Sequence, residues 1–166
     1  SGWAKIQGPS NGKSLPQLPN YEEYEYSEPE FSWELPVGVT AIEFPNSKIF
    51  KKYENFVFVA DVNNGNIYKF KLDDTRTKFV FESPHLQDNV LNIYRNSSDY
   101  LRHVEDATYV GDTGCLVSGF PCSAIEPMDE ILFAKNLGVI TDMKFGPDGA
   151  LYVISLMEGK IYRIAN

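Results

Sequence analysis

Part of this chain occurs twice, and that repetition constrains its fold more than any other feature. Residues 39–44, "VTAIEF", match residues 140–145, "ITDMKF", position for position. Residues 57–71, "VFVADVNNGNIYKFK", match residues 151–165, "LYVISLMEGKIYRIA". Between the matched blocks the first copy carries the long connection "PNSKIFKKYEN" and the second the tight "GPDGA". Length differences collect where loops run over a surface and tolerate insertion. Each copy therefore reads as strand, turn, strand, a short glycine turn ("NNGN" or "MEGK") and a strand bearing aromatics. Runs rich in Val, Ile, Tyr and Phe between Gly, Pro, Asn and Asp clusters are strands joined by turns, and internal self-similarity indicates a repeat architecture. Three hairpin-linked strands, with a fourth in the connection, make one blade of a β-propeller. The first strand of each copy would lie nearest the channel. "EILFAKNLG", residues 130–138, would supply an outer strand just ahead of the second copy. No long window has a 3.6-residue period, so little helix is expected.

The expected fold is thus all-β: a partial β-propeller of two blades and part of a third, forming one domain over residues 1–166. Residues 83–129, rich in Asn, Asp, Ser and Gly, read as a long loop insertion carrying Cys115 and Cys122. Residues 8–30 read as an irregular acidic and aromatic loop. Propellers are closed rings of at least four blades. Missing N-terminal blades, or self-association with another copy, would be needed to hide the open edges.

A net charge of −8 without a basic cluster argues against nucleic acid as a partner, since phosphate recognition needs clustered Lys and Arg, and against anionic membrane surfaces. No apolar run approaches the ~20 residues of a membrane-spanning helix. The two cysteines sit in "GDTGCLVSGFPCSAIEP", a loop that could close a small disulfide ring or hold two reduced thiols. Neither His85 nor His103 stands at a ligand-like spacing from them. Asn96-Ser97-Ser98 is a glycosylation sequon. An extracytoplasmic location, secreted or periplasmic, suits the disulfide.

"FSWELPVGVTAIEFPNSKIFKKYENFVFVADVNNGNIYKFKLD" followed by "GVITDMKFGPDGALYVISLMEGKIYRI" resembles the C-terminal part of the glucose/sorbosone dehydrogenase family, soluble quinoprotein aldose dehydrogenases built as six-bladed propellers. "GWAKIQGP" near the start is similar to the family segment preceding this region, and the resemblance covers most of the chain outside residues 83–129. It implies oxidation of an aldose sugar by pyrroloquinoline quinone held with Ca²⁺ over the central channel. A His would take the proton of the anomeric hydroxyl while hydride passes to the quinone. The family's His, its calcium-ligating segment and an Arg-Asn pair precede the matched region. The resemblance places Trp33 beside the cofactor, Asn63 where a cofactor-binding Lys is expected, and Val139 and Thr141 where two Arg are expected. The implied cofactor-contact residues are therefore Trp33, Asn63 and Thr141, with three cations replaced by neutral side chains.

Read without the resemblance, Trp33 is a core or blade-interface aromatic, and Asn63-Asn64 before Gly65 is a hairpin turn. Asp61 and Asp142 stand at strand ends, where they would either cap turns or face a channel mouth and hold a metal or polar substrate. The acidic run "YEEYEYSEPEFSWE" lacks EF-hand spacing and reads as a solvated loop. Three functions follow as expectations. The first is a C-terminal fragment of a quinoprotein-type sugar dehydrogenase, its catalytic His and Ca²⁺ ligands lying outside this chain. The second is a non-catalytic secreted propeller that binds carbohydrate or protein. The third is a calcium-dependent lactonase-like hydrolase, which would need Asp, Glu and Asn side chains converging on one ion.

Overall fold

The run "FVFVAD" is apolar at consecutive positions, which suits a strand covered on both faces. In the computed structural model, which describes residues 28–33, 37–83, 86, 90–91, 109–110, 115–116 and 128–165, this run is the centre of the larger sheet. Strands β1 (Ser32–Trp33), β2 (Val39–Glu43), β3 (Phe56–Asp61), β4 (Ile67–Leu72), β5 (Phe79–Val80), β6 (Val90–Leu91), β7 (Tyr109–Val110) and β8 (Cys115–Leu116) are followed by the single-turn helix α1 (Met128–Ile131). Then come β9 (Leu132–Ala134), β10 (Ile140–Phe145), β11 (Leu151–Ser155) and β12 (Lys160–Ile164). The fold is all-β, with almost no helix and mostly antiparallel pairing. Among the described residues no sheet closes on itself, and no helix is long and apolar enough to cross a membrane.

Strands β2, β3 and β4 form an antiparallel meander, and β10, β11 and β12 form a second one. The two copies agree in detail. In β2 the ladder shifts register between Val39 and Ala41, in β10 between Ile140 and Asp142, so the same bulge falls at the matched positions Thr40 and Thr141. Beyond the bulge, Val62 N–H donates to Gly38 C=O (3.0 Å) and Leu156 N–H to Val139 C=O (2.8 Å). Bulges bend a strand at fixed places, and here both first strands bend alike.

The outer position beside β4 is shared. β5 pairs with the C-terminal end of β4 (Lys71↔Val80, Leu72↔Phe79) and β9 with its N-terminal end (Tyr68↔Leu132, Ile67↔Ala134), both antiparallel. Together they are one outer strand interrupted between Val80 and Leu132. Where the chain leaves this strand, Glu130 clamps it: its two carboxylate oxygens accept the N–H groups of Glu82 (2.7 Å) and Ser83 (3.0 Å). Within the interruption, β6 pairs in parallel with β1, which precedes the sheet, and β7 pairs with β8 in antiparallel fashion.

The central strands of the larger sheet, β3 and β4, are buried on both faces. On one, Val57, Val59, Tyr68 and Phe70 pack with Leu86 and Ile131, under Phe31 and Trp33. On the other, Phe58, Ala60 and Ile67 meet Ile140, Met143, Leu151 and Val153 of the second sheet. The long connection of the first copy holds a 3₁₀ turn (Lys51–Tyr53) and drives Phe50 into this seam, edge-on to Phe58 and Phe145. Ser47 Oγ in the same connection donates to Gly149 C=O in the second copy's first turn (2.7 Å). The length difference between the copies is thus structural filling of the inter-sheet seam.

Candidate functional site

One end of the two sheets gathers the β3–β4 loop, the β9–β10 connection and the start of β10. At its centre is Asp61, fully buried at 0% exposure. A buried carboxylate needs a partner for each oxygen. Oδ1 accepts the N–H groups of Asn63 (2.7 Å) and Asn64 (3.0 Å), and Oδ2 accepts Asn64 Nδ2 (2.6 Å) and the Tyr68 hydroxyl (3.0 Å). Asn66 Nδ2 donates to the Tyr68 oxygen (3.3 Å). Burial pushes the Tyr68 phenol well above its ordinary range; the hydrogen bond from Asn66 opposes this, and the Asp61 charge adds to it. Tyr68 is therefore a fixed hydrogen-bond donor at neutral pH. In the second copy Ser155 takes the place of Asp61; it is buried, and its Oγ has no partner among the described residues. Tyr162, matching Tyr68, donates instead to Glu158.

The loop carries Gly65, at φ +65°, and meets Gly138, at φ +72°. A Cβ on Gly65 would stand 2.5 Å from the Gly138 carbonyl oxygen, so only glycine fits. Leu137 N–H donates to Gly65 C=O (2.9 Å), and Thr40 Oγ1 donates across the seam to Ile140 C=O (2.9 Å). The β3–β4 loop, where the Asn-Gly pair predicted a hairpin turn, is a five-residue connection, residues 62–66, whose single left-handed residue is Gly65.

The residues singled out by sequence reach different surroundings. Asn63 is exposed at the loop tip, its side chain beside Gly38. Thr141 is exposed on β10 and Val139 half-buried just before it. These three lie at one end of the molecule, linked through the Leu137–Gly65 bond. Trp33 lies elsewhere, on the face of the larger sheet turned away from the second sheet. Its ring packs against Phe31 (4.9 Å between centroids, edge-on), Tyr68 (5.2 Å) and Phe70 (6.0 Å), and its Nε1 is buried without a partner among the described residues. Asp61 is turned into its own loop, whereas Asp142 is exposed with Oδ1 accepting its neighbour's N–H, that of Met143 (2.9 Å). The two carboxylates are engaged separately. Among the described residues no group of three His, Cys, Asp or Glu side chains is placed to hold a metal. His85, His103, Cys122 and the Asn96 sequon lie outside the described residues, as do most of residues 8–30; Cys115 contributes its backbone to β8.

Of the implied cofactor-contact positions, those at this end, Asn63 and Thr141, carry neutral side chains, and exposed Lys135 lies in the adjoining β9–β10 connection. Charge-assisted hydrogen bonds are roughly twice as strong as neutral ones, so Asn63 and Thr141 do not supply the charge-assisted contacts that an anionic tricarboxylate quinone calls for. Of the two roles the sequence leaves open for Asp61, the structure shows the turn-capping one, with Oδ1 accepting the N–H groups of Asn63 and Asn64; that Asn66 and Tyr68 join the network escaped sequence reasoning. Compared with family models, curated proteins and solved structures, the chain matches none.

Proposed function

We propose that this chain forms adjacent blades of a β-propeller of the glucose/sorbosone dehydrogenase type. In the longer protein it would supply a wall of the sugar-binding cleft, while the cofactor-holding cations, Ca²⁺ ligands and proton-abstracting His come from other blades. The observation that carries this is the lateral arrangement of the two sheets. β9 closes the outer edge of the first sheet and the chain then passes directly into β10, the first strand of the second, which lies against β2. That hand-over from outer strand to next inner strand is how propeller blades follow one another. Asn63 in the β3–β4 loop and Thr141 at the start of β10 would stand at the rim of the channel, and their amide and hydroxyl suit sugar hydroxyls.

A second reading, the cofactor-free propeller that binds carbohydrate or protein, is favoured by the neutral side chains at 63, 139 and 141. Thermal melting separates a sugar-binding wall from a propeller whose ligand is a protein. An aldose such as glucose is expected to raise the melting temperature saturably, and Asn63→Ala with Thr141→Ala to abolish the rise. Pyrroloquinoline quinone with Ca²⁺ is expected to give no shift with this chain alone. A cofactor shift without a sugar shift would overturn the division of labour proposed here. Absence of any sugar response would favour the second reading, with a protein as its ligand.

A further inference from the structure

Among the described residues, exposed apolar side chains on two surfaces match, position for position, part of each half of the seam between the two sheets; Val57 and Val59, the matches of Leu151 and Val153, are already covered by Phe31, Trp33, Leu86 and Ile131, and exposed Val80, Leu156 and Met157 lie outside the match. On the second sheet, Ile161 (69% exposed) and Ile154 occupy the places that Ile67 (0% exposed) and Ala60 hold in the first, where they are covered by β10. On the first strand β2, Ile42 (59% exposed) and Phe44 occupy the places of Met143 (2% exposed) and Phe145, which fill the seam. The polar partners repeat as well. Thr40 donates across the seam to Ile140 C=O; its match, Thr141, is exposed and makes no side-chain hydrogen bond among the described residues, and the carbonyl matching Ile140 is that of exposed Val39. Glu43 pairs with Lys144 across the seam (3.5 Å), with Lys144 at 80% side-chain exposure. In a second seam these matched positions would present Lys144 to Glu43 of a neighbour, again opposite in charge. Finally, Gly65 is pressed against Gly138, whereas its match Gly159 has open space where a Cβ would stand.

We infer that the outer face of the second sheet docks a second copy of this chain through that copy's β2, in the manner in which β10 already sits on the first sheet. Because one patch meets a different patch, the contact is head-to-tail and propagates until a ring closes. The inference rests on the equivalence of the two sheets and not on the sugar reading; it concerns this chain by itself, since in a longer propeller the flanking blades would take the same two faces, and its test uses no sugar or cofactor.

The test is sedimentation equilibrium of the whole chain over a wide concentration range, with Ile42→Lys and Ile161→Lys. Both positions are exposed, so the variants are expected to keep the wild-type circular dichroism and melting temperature. Wild type should self-associate beyond its 18.8 kDa monomer mass, and each variant alone should be monomeric. The 1:1 mixture of the two variants should form a dimer that grows no further, since it retains one intact pair of complementary patches. A wild type monomeric throughout would overturn the inference. So would an Ile42→Lys variant that associates as wild type does, which would mean like faces pairing, or a mixture that remains monomeric.

Discussion

Tyr68 shows how one side chain can tie a loop, a core and a charge together. Its ring is part of the cluster under Trp33 and its hydroxyl holds Asp61. Its phenol ionises in the unfolded chain near pH 10 but resists ionisation in the fold, because burial raises its pKa. A group whose pKa rises on folding gives its full stabilisation below the unfolded value and loses it as pH climbs. Stability should therefore fall above about pH 10, by up to ~1.4 kcal/mol per pH unit from this residue. Tyr68→Phe should flatten that part of the slope while costing about 1–3 kcal/mol at neutral pH, because one oxygen of buried Asp61 loses a donor. Urea unfolding of both proteins from pH 7 to 11.5 measures the two effects. A parallel fall in stability for both would show that other groups govern alkaline unfolding.

At the scale of elements, the interrupted outer strand is held by Glu130, whose two oxygens each take a backbone N–H of the departing chain. Glu130→Ala should cost about 1–2 kcal/mol, and Glu130→Gln less, since its carbonyl can still accept one of the two bonds. Hydrogen exchange at the amides of Glu82 and Ser83 should speed up in the Ala variant, while β3 remains protected. The strands of the two copies and β9 ahead of the second were legible in the sequence because apolar runs and turn chemistry are local, whereas the two-residue strands β1 and β5 and those within residues 83–129, β6 to β8, were not. The seven-residue difference between the copies, from "PNSKIFKKYEN" against "GPDGA" together with the flanking residues, was legible only as a loop. That Phe50 fills the inter-sheet seam from this loop depends on where the second sheet lies, which no local pattern encodes. Trp33, which the resemblance sets beside a cofactor and the residues alone read as a core aromatic, packs among Phe31, Tyr68 and Phe70; that Tyr68 and Phe70 cover it was not legible, because they come from a distant part of the chain.

At the scale of the whole molecule, the two sheets share one seam of buried side chains and should unfold as a unit. Phe50→Ala, which opens a cavity in that seam, should cost about 3–5 kcal/mol. It should also lower hydrogen-exchange protection equally at Val59 of the first sheet and Val153 of the second. Unequal loss would mean two independently stable sheets. The way the outer strand is broken has a further consequence for how such a protein can change over time. Its two halves run in the same direction beside β4 and abut one another, so the chain departs and re-enters the sheet at almost the same place. Extra sequence spliced in there leaves the path from one sheet to the next unaltered. Variants of this architecture should accordingly differ in length at this splice while conserving the spacing between β9 and β10.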